Sequence, residues 1–126
     1  MKLLGQRWEY RVGNSIVFVD NGFSWTGWGQ ERLVVNDETV QQSGGWWRMR
    51  QAFREPWLTL VGESELRVAL VSRLRGISCS ATLDGEPIHP DALHGAVWQG
   101  RGGEWPAPDG WIEAANVSWI SQPPAG

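Results

Sequence analysis

The sequence predicts an all-β protein, an antiparallel β-sandwich of about eight to ten short strands with at most one helical turn. Three observations predict this fold. Apolar and polar residues alternate with a period of two along most of the 126 residues. Turn-forming residues recur at intervals of about 8–12 residues. No long helical pattern separates the strands, which disfavours the α/β nucleotide-binding folds. We expect one domain over residues 1–120 and a flexible tail over 121–126.

The first half of the chain contains the larger share of the predicted strands. They cover, in order, residues 7–12, 15–19, 23–26, 31–35, 38–42 and 46–53. In the first of them, Trp8, Tyr10 and Val12 share an apolar face. The Asp-Asn-Gly stretch at 20–22 predicts a hairpin turn, and the Asn-Asp pair at 36–37 predicts another.

The second half continues the same pattern. Its predicted strands cover residues 57–62, 65–72, 77–83, 96–99 and 111–120. The Asp-Gly pair at 84–85 predicts a hairpin turn. The one helical candidate is 89–95 (HPDALHG), because Pro90 suits a first helical position and Gly95 suits a stop. The Gly- and Pro-rich stretch at 100–110 is predicted to be a loop.

Composition limits the possible partners and the compartment. The net charge of −3 disfavours a nucleic-acid partner, which would need a concentrated basic face. One cysteine, Cys79, allows no internal disulfide and fits a reducing cytosol. The N-terminal stretch lacks the pattern of a signal peptide, and no apolar run approaches the roughly 20 residues of a membrane span. We therefore expect a cytoplasmic protein that does not bind a membrane.

Two segments of the chain resemble a known family. Residues 26–42 (TGWGQERLVVNDETVQQ) place a Gly before a valine-rich strand and a turn, and residues 57–88 run from WLTLVG to an LDG hairpin. The pattern resembles the Fas apoptotic inhibitory molecule family over roughly two-thirds of the chain. The chain has Asn36-Asp37 where that family favours Asp-Gly, and one such unit where the animal proteins carry two. The resemblance implies a non-enzymatic, cytosolic β-sandwich that acts through protein contacts, with no catalytic residues to transfer and no inference about apoptosis.

The ten tryptophans are the most unusual feature of the composition. Those on apolar strand faces are predicted to be core residues: Trp8, Trp25, Trp47 and Trp57. Those beside Gly, Arg, Pro or Asp are predicted to be loop-like or solvent-facing: Trp28, Trp46, Trp105 and Trp111. Exposed Trp and Arg are enriched at the centres of protein interfaces. Because Arg48 and Arg50 share the outward face with Trp46, these three residues form the first candidate surface.

No catalytic or metal-binding pattern is evident in the sequence. One Cys and two His, His89 and His94, are too few for a structural zinc site, and we expect no metal and no cofactor. Cys79 has the pattern of an inert core thiol. The aspartates sit in turn contexts rather than in paired carboxylate arrangements. An enzyme is therefore disfavoured, unless His89 or His94 lies within hydrogen-bond reach of a carboxylate in a cleft.

These observations predict a non-enzymatic protein-binding domain, such as an inhibitor, immunity or adaptor protein. Its Trp/Arg binding residues would be Trp46, Arg48, Arg50, Trp28, Trp105 and Trp111. Unpaired edge strands also allow a homodimer. The alternative is a module that binds a small molecule or a carbohydrate through exposed tryptophans.

Overall fold

Ten antiparallel strands form two facing sheets in the computed structural model, which describes residues 1–46, 56–73 and 76–113. The strands are β1 Lys2–Val12, β2 Ser15–Phe23, β3 Trp28–Val35, β4 Glu38–Trp46, β5 Trp57–Val61, β6 Ser64–Arg73, β7 Gly76–Leu83, β8 Glu86–Ile88, β9 Ala92–Gln99 and β10 Ile112–Glu113. The larger sheet has the order β10-β9-β1-β2-β3-β4, and the smaller sheet has the order β5-β6-β7-β8. The predicted antiparallel β-sandwich is therefore confirmed.

The core lies between the two sheets and follows the period of two. Its fully or nearly fully buried members are Trp8, Tyr10, Val17, Val19 and Leu33 from the larger sheet and Val61, Leu66, Val68, Leu70 and Ala81 from the smaller sheet. Trp57 packs against this cluster, as predicted. Burying one large apolar side chain contributes about 1.5–3 kcal/mol, so this layer is the main source of stability. Because this layer buries one face of each strand, only the opposite face remains available for a functional site.

Two predicted hairpin turns are confirmed by their backbone angles. Asn36 and Asp37 have φ of 49° and 66°, and Asp84 and Gly85 have φ of 50° and 84°. Asn, Asp and Gly adopt this left-handed conformation at the lowest cost, which suits a tight turn between antiparallel strands.

The predicted hairpin at 20–22 is wrong. β2 continues through these residues to Phe23, and Asp20 and Asn21 are fully buried. Asp20 pairs with arginines on the neighbouring strands, and Asn21 Nδ2 donates to the Gln30 carbonyl at 3.3 Å. The turn instead follows at 24–27, so Trp25 lies in it with an exposed fraction of 80%, contrary to its predicted place in the core.

The predicted helical turn at 89–95 is also wrong. β9 begins at Ala92 and pairs with β1 along its length. Asp91 helps to align it, because its amide donates to the Glu9 carbonyl and its carboxylate accepts from the Arg11 amide, both at 2.7 Å. The single 3₁₀ turn of the described chain lies at Pro108–Gly110, within the predicted loop.

Several predictions concern residues that the structure does not describe. Trp47, the strand at 46–53 beyond Trp46, most of the strand at 111–120 and the tail at 121–126 lie outside the described residues. Within the described ranges, no helix is long and apolar enough to cross a membrane.

Candidate functional site

The outer face of the larger sheet, turned away from the core, carries a row of charged side chains. The strand register places His94, Arg7, Asp20 and Arg32 side by side on β9, β1, β2 and β3. These positions alternate with the core residues of the same strands, and they therefore share the opposite face. Four strands together align the row.

Asp20 joins the two arginines of this row. Its carboxylate accepts from Arg7 Nε at 2.7 Å, from Arg7 Nη2 at 2.9 Å and from Arg32 Nε at 2.7 Å. The Asp20 side chain is fully buried, whereas those of Arg7 and Arg32 are 11% and 18% exposed. A buried carboxylate that accepts several charge-assisted hydrogen bonds holds both guanidinium groups in fixed orientations.

Aromatic rings cover the same two guanidinium groups. The Arg7 Cζ atom lies 4.0 Å from the Phe18 ring centroid and 4.4 Å from that of Trp111. The Arg32 Cζ atom lies 4.5 Å from the Trp105 ring centroid. Arginine stacks well on aromatic faces because its planar guanidinium is only weakly hydrated.

The loop that carries Trp105 and Trp111 is fastened to the sheet by Gln30. The Gln30 Oε1 atom accepts from Trp28 Nε1 at 2.9 Å and from the Gly103 amide at 2.7 Å, and its Nε2 donates to the Glu104 carbonyl at 2.7 Å. Gln30 is only 1% exposed. One buried side chain thus holds the loop over the outer face.

Two glycines form the floor on which the tryptophans lie. A Cβ atom on Gly5 would lie 2.6 Å from the Cζ3 atom of Trp98, and one on Gly22 would lie 3.0 Å from its Cη2 atom. The Trp98 ring in turn lies 5.9 Å from Trp105 and 6.1 Å from Trp111, between centroids. The rings can approach the sheet so closely only because Gly5 on β1 and Gly22 on β2 have no side chains.

A cleft of about 770 Å³ lies between this row, the loop and the β3–β4 turn. It is lined by Arg7, Glu9, Phe18, Arg32, Val34, Asp37, Thr39, His94, Pro106, Pro108 and Trp111. In its wall, His94 Nε2 lies 3.3 Å from Glu9 Oε1, and Arg11 Nε lies 3.1 Å from Glu9 Oε2. A histidine within hydrogen-bond reach of a carboxylate in a cleft is the one arrangement that, on the sequence alone, would favour an enzyme.

The structure places four of the six predicted binding residues. Trp28, Trp105 and Trp111 are half-buried rather than solvent-facing, and Trp105 and Trp111 stack beside the cleft. Trp46 is 47% exposed at the end of β4, and its ring lies 5.3 Å edge-on from Trp28. The other two, Arg48 and Arg50, lie outside the described residues.

Four residues at the centre of the cleft are not among the predicted site residues: Arg7, Glu9, Asp20 and Arg32. His94, beside them, is one of the two histidines that the sequence singles out. The sequence predicts Arg7 only as a polar residue of an alternating strand, and Arg32 only as part of the strand at 31–35. One signal could have found them: charged residues of opposite sign occupy the outward positions of strands whose inward positions are fully buried and apolar. A sheet face that is open to water does not need such an arrangement. Asp20 was assigned to a turn.

The other titratable groups of the structure show no second site. Among the described residues, no group of three or more His, Cys, Asp or Glu could hold a metal ion. In the core, the Tyr10 hydroxyl bonds to Cys79 Sγ at 3.3 Å. Burial raises the pKa of the Cys79 thiol to about 12, which keeps it protonated and unreactive at neutral pH.

The fold and the cleft define a class of protein: an antiparallel β-sandwich with a charged, tryptophan-walled cleft on the outer face of its larger sheet. No family model, curated protein or solved structure matches the chain. The resemblance to the Fas apoptotic inhibitory molecule family stays a prediction from the sequence.

Proposed function

We propose that the protein binds a small, flat organic molecule in the outer-face cleft, without catalysing its conversion. The observation that carries this proposal is the cleft itself, in which Arg7 and Arg32 are held beneath Trp111 and Trp105. Its volume of about 770 Å³ falls within the range typical of small-molecule sites, about 300–1,000 Å³.

The preorganisation of the cleft supports the same proposal. Asp20 fixes both arginines, and Gln30 fixes the loop that carries the tryptophans. A site whose side chains are already ordered loses little conformational entropy when a ligand enters. Of the first candidate surface predicted for protein binding, Trp46, Arg48 and Arg50, only Trp46 lies within the described residues, and its ring packs against Trp28.

Tryptophan fluorescence tests the proposal directly. We expect a panel of planar heteroaromatic compounds and pyranosides to include binders that shift the emission of the wild-type protein. Trp111→Leu should weaken that binding about ten-fold or more, since base- or ring-stacking contacts contribute about 1–3 kcal/mol. The matched control is Trp25→Leu, because Trp25 is 80% exposed and does not line the cleft. Equal losses in both variants, or no binder in the panel, would contradict the proposal.

A second candidate function is acid–base catalysis on the bound molecule, and the 3.3 Å contact between His94 and Glu9 supports it. A carboxylate that orients an imidazole is the usual arrangement for a histidine that transfers protons. Hydrolysis of 4-nitrophenyl acetate provides a simple assay. Turnover above the rate of free imidazole that is lost in His94→Gln and kept in His89→Gln would favour catalysis. His89 is exposed and lies outside the cleft, which makes it the matched control.

A further inference from the structure

We propose that the ligand of this cleft is a planar carboxylate, an aromatic carboxylic acid, whose carboxylate is bound by Arg32 and whose ring lies against Trp111 and the two prolines. This inference rests on the proposed function and specifies the chemical class of the ligand.

The charges of the buried row leave one positive charge in excess. Arg7 and Arg32 contribute two positive charges and Asp20 contributes one negative charge. Excess positive charge in a partly desolvated setting favours an anion, because the attraction is screened less than it is at an open surface. Arg7, Arg32 and Asp20 together therefore carry one net positive charge, and two acidic residues, Glu9 and Asp37, also line the cleft.

Most of the hydrogen-bond donors of the Arg32 guanidinium are not used within the described part of the chain. Within the described part of the chain it makes one hydrogen bond, from Nε to Asp20 Oδ2. A guanidinium has five N–H groups in a planar fork that matches the two oxygens of a carboxylate. Arg32 lines the cleft, and because its Nε atom is bound to Asp20, the two terminal amino groups remain as donors for the two oxygens of an anion.

The acidic residues of the cleft do not cancel this preference. Both oxygens of Glu9 are engaged, one near His94 and the other with Arg11. Asp37 lies in the β3–β4 turn, beyond the end of β3, which runs three residues past Arg32 or roughly 10 Å along the strand. The anion therefore fits best at the Arg32 end of the cleft, away from Asp37.

The side chains that surround Arg32 favour a ligand in which a planar ring is attached to the carboxylate. Trp105 covers the Arg32 guanidinium at 4.5 Å, and Trp111, Pro106 and Pro108 line the same cleft. An aromatic ring in this space would gain apolar burial and ring contacts while its carboxylate meets the arginine fork in the same plane. A tetrahedral or highly branched anion would match these walls less well.

The decisive experiment compares 2-naphthoate with its neutral analogue 2-naphthamide by isothermal titration calorimetry of the wild-type protein at low salt. We expect the acid to bind about ten-fold more tightly or better, since hydrogen bonds to a charged group contribute about 1.5–3 kcal/mol. Added salt should reduce the difference. In Arg32→Gln the preference for the acid should fall to less than about two-fold, and Arg32→Lys, which keeps the charge without the planar fork, should be intermediate. The matched control is Arg67→Gln, because Arg67 is exposed on β6 of the other sheet.

The possible outcomes separate the two proposals. Equal binding of the acid and the amide overturns the carboxylate inference and leaves the ligand-binding proposal standing. Neutral binders in the fluorescence panel, combined with no binding of 2-naphthoate, have the same meaning. The proposed function itself is overturned only if neither experiment finds a binder. Because the acid–amide comparison needs no variant, it decides the inference even if Arg32→Gln does not fold.

Discussion

The Asp20 carboxylate accepts both the Nε and the Nη2 hydrogen bonds of Arg7, which lies directly opposite it on the neighbouring strand. The pair is unusual in a sheet face, because Asp20 is fully buried although it does not point into the core between the sheets. The loop and its tryptophans supply the cover. The outer face therefore contains a second, smaller buried region, in which charged side chains take the place of apolar ones.

Replacing Asp20 with Asn should destabilise the protein severely. The variant keeps the shape of the side chain but leaves two largely buried guanidinium groups without their shared anion. Breaking a buried ion pair in this way costs about 3–5 kcal/mol in the free energy of unfolding, which urea titration would measure. Asp109→Asn, in the exposed 3₁₀ turn, is the control and should have little effect. A loss below about 1 kcal/mol in Asp20→Asn would mean that the charge is dispensable.

Adding a single methyl group at Gly5 should disturb the tryptophan cluster. The new Cβ would meet Trp98 at 2.6 Å, well inside van der Waals contact. Overpacking of this kind costs about 1–3 kcal/mol of stability. The control is a double-mutant cycle, since Gly5→Ala should cost much less in a Trp98→Leu background. Additive effects in the cycle would argue that the clash does not occur.

Replacing Gln30 with Ala should release the loop at 100–111 without unfolding the sandwich. The change removes three hydrogen bonds and leaves the Trp28 indole and the Gly103 amide without their partner, whereas the Glu104 carbonyl keeps its bond from Trp98 Nε1. Each lost bond of this kind costs about 1–3 kcal/mol. Because Arg101 is exposed in this loop, trypsin should cleave after it faster than in the wild-type protein, as mass spectrometry would show. Gln42→Ala, on the exposed part of β4, should leave the cleavage rate unchanged.

Stability should decline in alkaline solution because of Cys79. The folded protein holds its thiol pKa near 12, whereas an unfolded chain ionises near the ordinary value of 9.0. From pH 9 towards pH 12 the unfolded state therefore binds fewer protons, and the free energy of unfolding falls by about 1.4 kcal/mol per pH unit. Below pH 9 the contribution is complete. Tyr10, whose pKa burial also raises, adds to the decline above pH 10.

The control for this pH dependence is Cys79→Ala. Urea titrations at pH 8 to pH 10 should show a clear decline in the wild-type protein and almost none in the variant. The same slope in both proteins would assign the effect to another group.

Replacing Trp46 with Ala tests the protein-binding function predicted from the sequence. Trp46 is 47% exposed and touches Trp28 edge-on, so its removal should lower the free energy of unfolding by only about 0.5–1.5 kcal/mol. If the surface binds a partner, capture of that protein should be lost in the variant and kept in Ile112→Ala, a change at another exposed apolar residue. A much larger loss of stability would show that Trp46 is structural.

Strand positions and core residues could be predicted because they depend on local alternation. Trp8 is buried where the period of two places it, and Val19 and Leu66 are buried on the predicted strands at 15–19 and 65–72. The turn at 36–37 was also predictable, since its residues tolerate positive φ. In each case the information lies within a few residues of the position concerned.

The cleft could not be predicted in this way, because it depends on contacts between distant parts of the chain. Asp20 lies in a sequence that favours a turn, yet its charge is satisfied by Arg7 and Arg32 on the neighbouring strands. Trp105 precedes Pro106 and Trp111 follows Gly110, and both therefore resemble exposed loop residues. Their cover over the sheet depends on Gln30, which is 74 residues away from the Glu104 carbonyl that it binds.

The close approach of Trp98 to Trp105 and Trp111, at 5.9 and 6.1 Å, has an optical consequence. Indole rings this near one another share their electronic excitations. The far-ultraviolet circular dichroism spectrum should therefore carry a pair of bands of opposite sign on top of the sheet signal. The position of the loop can thus be followed by light, without any label, as ligands, solvent or variants change it.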